Sequence, residues 1–524
     1  MGIRDNNVII YDTTLRDGAQ AEGISFTVGD KLNIVKTLDE FGISYIEAGN
    51  PGSNSKDEEF FIKVRDLKLK HSTIVAFGST RRANIKVEED ANIKSLIKAD
   101  TKTVAIFGKS WGMHVTEILH TTLEENLAMI GDSIKYLKSL NKEVIFDSEH
   151  FFDGYKEDKA YAISTLKVAE ESGADYIVLC DTNGGSIPSE IGEISKEIMY
   201  QIKVPLGIHC HNDSGVAVAN TLIAIQNGLV MIQGTINGYG ERCGNTDLCT
   251  IIPNLELKLN KKCLEEGKLM QIASLARYIS EIANFSHNER APYVGNSAFA
   301  HKGGMHIDAV LKNPTSFEHI SPESVGNRRR LLMSEVSGRS TIMAKINEVE
   351  PWLNKDSIET KKIIDKLKDM EHEGYQFEGA DGSFKLMIRR VLGKNKKFFD
   401  VKEFQVNCAE HWKKENSSYA LIKVEVDGNE EITAAEGDGP VNALDGALRK
   451  ALKVFYPSLN KIRLTDYKVR VLDTSEATRA RVRVHIETTD GEKVWSTVGV
   501  STNLIEASWI ALIDSIEFFL NQDD

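Results

Sequence analysis

Asp17, His209 and His211, far apart in the chain, are the residues whose types and spacing point to chemistry. The two histidines close the apolar run Pro205-Leu206-Gly207-Ile208 and are separated only by Cys210. Side chains of a β-strand alternate between faces, so a spacing of two aims both imidazoles the same way. Histidine is the commonest protein metal ligand, and a pair at a strand end is a common grip for a divalent ion. Asp17 belongs to Tyr11-Asp12-Thr13-Thr14-Leu15-Arg16-Asp17-Gly18, which follows another strand-like run, Val8-Ile9-Ile10. One carboxylate and two imidazoles suit Mn2+, Zn2+, Co2+ or Fe2+ and leave positions open, whereas Mg2+ would draw mainly on oxygen ligands and water. A further segment, Asn237-Gly238-Tyr239-Gly240-Glu241-Arg242-Cys243-Gly244-Asn245, offers the Asn245 amide oxygen to the same ion. Its glycines depart from the Gly-x-Gly-x-x-Gly spacing of dinucleotide sites. The plainer alternative is a pair of partly exposed histidines around a buried Cys210.

A 2-oxo acid fits such a site, because its keto oxygen and carboxylate can occupy the open positions. The metal would polarise the carbonyl, and Arg16 would stabilise the alkoxide formed when a carbon nucleophile attacks. Glu149 and His306 are candidates for proton transfer. Non-haem iron oxygenases use the same two-histidine, one-carboxylate set and remain a rival from another class; Arg16 and the surrounding carboxyl and amide groups favour an anionic, oxygenated substrate. For Arg16 the alternative is an ion pair with a neighbouring carboxylate. For His306, read here as a loop residue, it is a polar surface role.

These residues need a scaffold that gathers them. Apolar runs at residues 8–11, 45–48, 73–77, 103–107, 143–147, 176–180, 206–211 and 231–236 alternate with helical spacing, as at 31–41, 160–172 and 217–227. Gly42, Gly173 and Gly228 stand where helices stop. Eight such units predict a closed (β/α)8 TIM barrel over residues 1–285. A barrel collects every strand C-terminus at one mouth, which would bring together Arg16, Asp17, Glu47, Asp147, Glu149, Asp181, Thr182, His209, His211, Asn237 and Glu241. An open doubly wound sheet would spread them along an edge. Beyond about residue 252 the alternation stops. Helical spacing at 264–283 and a charged helical zone at 342–369 predict a helical linker subdomain over 286–402 that contributes to the active site. Strand-like alternation at 480–486, with helices near 441–455 and 505–520, predicts an α+β domain over 403–524.

Composition narrows the function classes. The chain has 524 residues, 41% of them hydrophobic and 27% charged, enough for several domains with substantial cores. A net charge of -13 disfavours nucleic-acid binding, and Arg328-Arg329-Arg330, the one dense basic run, reads as a solvated or interface segment. No apolar stretch has the length of a membrane span, and the N-terminus lacks a signal-peptide pattern, so the expected location is cytoplasmic. The six cysteines include no Cys-x-x-Cys pair, and none predicts a zinc ribbon or a disulfide framework.

With Asp12-Thr13-Thr14-Leu15-Arg16-Asp17-Gly18-Ala19-Gln20, His209-Cys210-His211-Asn212-Asp213, the 237–245 segment and His301-Lys302-Gly303-Gly304-Met305-His306 in this order, the chain resembles a metal-dependent barrel family. That family includes 2-isopropylmalate synthase, homocitrate synthase, citramalate synthase and the hydroxymethylglutaryl-CoA lyases. The segments at 436–444 and 498–503 resemble the regulatory domain of the synthases, which the lyases generally lack. Those at 47–54 and 325–330 resemble the citramalate synthase branch more than the isopropylmalate enzymes. The resemblance implies a divalent metal ion (Mn2+, Mg2+, Zn2+ or Co2+) on Asp17, His209, His211 and Asn245. It implies keto-acid contacts from Arg16, Gln20, Asp147 and Thr182, and catalytic roles for Arg16, Glu149 and His306. The implied reaction joins acetyl-CoA to pyruvate and water, giving (R)-citramalate and CoA on a route to isoleucine. Isoleucine is the implied inhibitor and a homodimer the implied assembly; the nearest alternative is 2-isopropylmalate synthesis from 2-oxoisovalerate. Two positions depart from the family. Asp147 stands where related synthases often carry tyrosine, and Phe317 where tyrosine is expected.

Overall fold

A computed structural model describes residues 6–332, 339–409, 417–472, 480–491 and 493–522. Residues 1–5, part of the N-terminal stretch read for a signal peptide, lie outside it. Two compact units result: one runs to Phe299 and includes Glu318–Arg329, and the other holds Ala300–Phe317 and the residues from Arg330 onward.

The first unit contains the expected barrel. Its strands are β1 (Ile9–Asp12), β2 (Tyr45–Glu47), β3 (Thr73–Ser79), β4 (Thr103–Lys109), β5 (Glu143–Glu149), β6 (Tyr176–Asp181), β7 (Leu206–Cys210) and β8 (Met231–Gly234). All pair in parallel in chain order, and β8 closes on β1. Strands buried on both faces need apolar residues at successive positions, as in Val144-Ile145-Phe146 of β5. One set packs outward against the helices in the main core; the other, including Tyr11, Val75, Ala105, Ile145, Val178 and Cys180, fills the barrel. The first helix, Val28–Phe41, starts with a capping box in which Thr27 accepts from the Asp30 N–H. Gly42, Gly173 and Gly228 take left-handed φ at the ends of their helices, as the helix-stop reading requires.

Several boundaries differ from the sequence reading. β7 ends at Cys210, and His211 instead forms an isolated bridge with Asn245. β8 ends at Gly234, and Ile236 opens a 3-10 turn. The stretch at 264–283 divides into a turn, Lys268–Gln271, and a helix, Ile272–Ile282. Arg329 is no freely solvated cation, for it grips the buried carboxylate of Glu318 through Nε at 2.7 Å and Nη2 at 2.6 Å.

In the second unit the charged zone is two helices, Arg339–Val349 and Ile358–His372, with Pro351, which lacks a donor, between them. Two antiparallel three-stranded sheets follow, one of Asp400–Ala409, Ser417–Val426 and Asn429–Gly437, the other of Arg463–Val471, Val482–Thr489 and Val494–Ser501. Helix Pro440–Leu452 buries Ala443, Leu444, Ala447, Leu448, Ala451 and Leu452, one face at helical spacing. Helix Leu504–Leu520 shares the same core through Leu512 and Ile516. No helix among the described residues is long and apolar enough to cross a membrane.

Candidate metal centre

The two-residue alternation of parallel strands decides which side chains reach the barrel interior. His209 lies in register with Cys180 on β6 and with Gln233 on β8, which in turn pairs with Tyr11 on β1. Tyr11 and Cys180 belong to the interior core, so His209 and Gln233 share that face. The same period takes Ile145, Asp147 and Glu149 of β5 inward.

Asp17, His209 and His211 converge as expected. All three are buried, and one ligand atom from each lies within 4.8 Å of the others. His209 Nε2 is 3.5 Å, and His211 Nε2 3.9 Å, from Asp17 Oδ2. Burial opposes ionisation of Asp17, but Arg16, His209 and His211 outweigh it and bring its pKa down to about 2. Burial lowers the pKa of both histidines, that of His211 to about 4 with help from His209. At neutral pH the cluster is therefore one carboxylate and two neutral imidazoles, the protonation state that binds a cation.

Two polar atoms test that fit. Asp17 Oδ1 and Asn245 Oδ1 are buried without a hydrogen-bond partner. Groups so placed are costly unless something else satisfies them. Asn245 donates through Nδ2 to the Tyr239 carbonyl at 3.0 Å, which leaves Oδ1 available. Gly240 makes this orientation possible: its φ is 153°, and a Cβ there would lie 2.2 Å from Asn245 Nδ2. The donor set fits a divalent ion on Asp17, His209 and His211, with Asn245 adjacent.

Gln233 is the residue that motif reading missed. Its Oε1 accepts from His209 Nδ1 at 2.9 Å, fixing the tautomer that presents Nε2, and its Nε2 donates to Asp147 Oδ1 at 2.9 Å. Glu47 was read only as a strand-end carboxylate. It is fully buried, accepts from Tyr11 Oη at 2.5 Å and holds Arg16 Nε at 2.5 Å. Arg16 Nη1 lies 3.2 Å from Asp17, and its guanidinium carbon sits 3.9 Å above the Phe77 ring. Phe77 in turn stacks on Phe107. Of the two readings of Arg16, the geometry shows the ion pair.

The remaining predicted residues divide between the units. Asp147 is buried, and burial together with Glu47 pushes its carboxyl well above the usual range. Glu149 pairs with Lys109, which also projects from a barrel strand. Thr182 Oγ1 accepts from the His150 N–H at 2.9 Å, tying the loop after β6 to that after β5. Gln20 is exposed at the end of the turn Gly18–Gln20, its N–H on the Asp17 carbonyl. Asn237 turns from the mouth, its amide donating to Ala276 O and Ser280 Oγ, while Glu241 is exposed. His306 belongs to the second unit, on helix Gly304–Lys312 rather than a loop, with its ring stacked on Phe317 at 4.1 Å between centroids.

Comparison with known proteins extends this picture along the chain. Residues 7–279 match the HMGL-like family, residues 293–375 the homocitrate synthase post-HMGL domain-like family and residues 378–520 the LeuA allosteric (dimerisation) domain. The (R)-citramalate synthase of Geobacter sulfurreducens is 52% identical over 518 residues, covering 99% of this chain and 98% of the relative. That of Aquifex aeolicus is 52% identical over 521 residues with the same coverage, and that of Synechocystis 48% identical over 532 residues, covering 99% and 97%.

Proposed function

We propose, from the premise that this chain belongs to the HMGL-like family and to its (R)-citramalate synthase branch, that it condenses acetyl-CoA with pyruvate and water to give (R)-citramalate and CoA. The observation that carries the reading is the buried Asp17–His209–His211 cluster with Arg16 beside it. A divalent ion bound there, of which Mn2+, Zn2+ and Co2+ suit the nitrogen ligands better than Mg2+, supplies Lewis acidity toward the keto oxygen. Arg16 orients the keto acid and balances the negative charge that grows on that oxygen. Thr182 and Gln20 take part in holding the acid. Asp147, favoured as the protonated acid by its burial, offers a donor where related synthases carry a tyrosine hydroxyl.

Glu149 and His306 divide the proton work. One removes a methyl proton from acetyl-CoA, and the resulting carbon nucleophile bonds to the keto carbon, whose oxygen is then protonated. Water cleaves the thioester, releasing CoA and the new carboxylate. The Glu149 carboxylate is paired with Lys109.

The alkyl group of the keto acid meets Phe77, whose ring lies under Arg16 and against Phe107. These rings favour a methyl over an isopropyl group. One methylene is worth roughly 10- to 200-fold in such pockets, so kcat/KM for pyruvate is expected to exceed that for 2-oxoisovalerate by about 100-fold or more. CoA release followed with a thiol reagent tests this, with acetyl-CoA and each keto acid supplied in turn. The reverse preference would identify 2-isopropylmalate synthesis, and oxygen uptake without thiol release the iron oxygenase.

Isoleucine is the proposed feedback inhibitor and a homodimer the proposed assembly; the LeuA allosteric (dimerisation) match supports an effector site and a dimer. Helix Pro440–Leu452 begins after Gly439, and its first N–H groups suit a carboxylate. Titration of the full-length enzyme calorimetrically is expected to detect isoleucine binding, with turnover falling over the same concentrations. Neither heat nor inhibition would remove the effector from the proposal and leave the barrel chemistry untouched.

A further inference from the structure

We propose that Arg242 and Asp213 form a staple that positions Thr182 and thereby sets the affinity for the keto acid; this rests on the reading of Thr182 as a keto-acid contact. Arg242 holds both Asp213 carboxylate oxygens, through Nε at 2.8 Å and Nη2 at 3.0 Å. Nη2 also donates to the Thr182 carbonyl oxygen at 2.8 Å. The three residues come from three loops, those after β6, β7 and β8. Backbone bonds join these loops as well: the Asn212 N–H donates to Gly244 O at 2.9 Å, and the Ser214 N–H to Gly184 O at 3.1 Å.

Thr182 is therefore fixed from two sides. Its hydroxyl accepts from the loop after β5, and its carbonyl is held by a side chain from the loop after β8. Arg242 reaches it from a left-handed backbone, φ 55°, which is unfavourable for a non-glycine residue and is retained here because the side chain is anchored at three oxygens. The side chains of the pair are 43% and 25% exposed. An ion pair so open to water contributes little stability, so its value lies in geometry. A planar fork that spans two carboxylate oxygens fixes both direction and distance, and lysine cannot reproduce that.

Arg242→Lys and Asp213→Asn, each in the full-length, metal-replete enzyme, test the staple. Each is expected to raise KM for pyruvate about tenfold and leave KM for acetyl-CoA within about twofold, with the double variant no worse than either single one. Calorimetric binding of pyruvate without acetyl-CoA should weaken by the same factor. A role confined to folding would instead lower the thermal midpoint and the active fraction with both KM values unchanged, and that result would overturn the proposal. Thr182→Ala, measured alongside, separates the two ways of failing. Weaker pyruvate binding in Thr182→Ala with none in Arg242→Lys overturns the staple alone. No change in either overturns the reading of Thr182 and the staple with it.

Discussion

His209→Ala is expected to lower kcat/KM by about a thousandfold or more while the barrel stays folded. Three buried donors meet at this site, and removing one leaves Asp17 and His211 with too few bonds to hold an ion through dialysis. The fold should tolerate the change because His209 occupies an interior position that already carries polar neighbours. Its ring donates to Gln233, and the outward-facing Ile208 keeps its place in the main core. Elemental analysis of dialysed protein, circular dichroism and CoA release together make the test. A variant with wild-type metal content and turnover would contradict the assignment. Gln233→Leu gives a graded companion: with the tautomer of His209 no longer fixed, metal affinity should fall about 10- to 100-fold, the usual range for an outer partner. Asp147 would lose its donor in the same variant.

The difference between His209 and Gln233 explains what the sequence could disclose. Two histidines two residues apart at the end of an apolar run are visible without knowing what lies beside them. Gln233 matters only because β8 runs next to β7 in a register that sets it opposite His209. That register comes from barrel closure, and a single glutamine within Met231–Gly234 does not announce it. The pairing of Glu47, and Lys109 altogether, were equally hidden, since each acts through a partner 31 or 40 residues away in the chain. The eight strands were legible because parallel barrel strands are buried on both faces and read as short apolar runs between helices. Their ends were less so. β5 continues to Glu149 and β7 stops before His211, because polar residues at the mouth extend or end a strand according to neighbours that the run itself does not reveal. His306 reads as a loop residue in the sequence, yet Gly304 opens the helix that carries it.

Arg16→Lys is expected to reduce kcat by about 100-fold or more, far beyond what its stability change explains. Arg16 is held by Glu47 through Nε, lies beside Asp17 through Nη1 and rests on the face of Phe77. Burial works against its charge, but Glu47 and Asp17 outweigh that and keep the guanidinium protonated. These contacts lock a rigid plane, so in the role proposed for Arg16 its donors need no reorganisation as charge develops on the keto oxygen. A lysine ammonium keeps the positive charge, but as a point on a flexible stem it cannot hold Glu47 and face the substrate at the same time. The buried Glu47 would then draw the ammonium toward itself, leaving the reacting oxygen without its donor. Thermal unfolding measured beside kcat and KM distinguishes this from loss of structure. The expected pattern is a large fall in kcat, a smaller rise in KM for pyruvate and a thermal midpoint lowered by only a few degrees, equivalent to about 1 kcal/mol. Unchanged kcat with a lowered midpoint would make Arg16 a structural partner of Glu47 and return the oxyanion role to another donor.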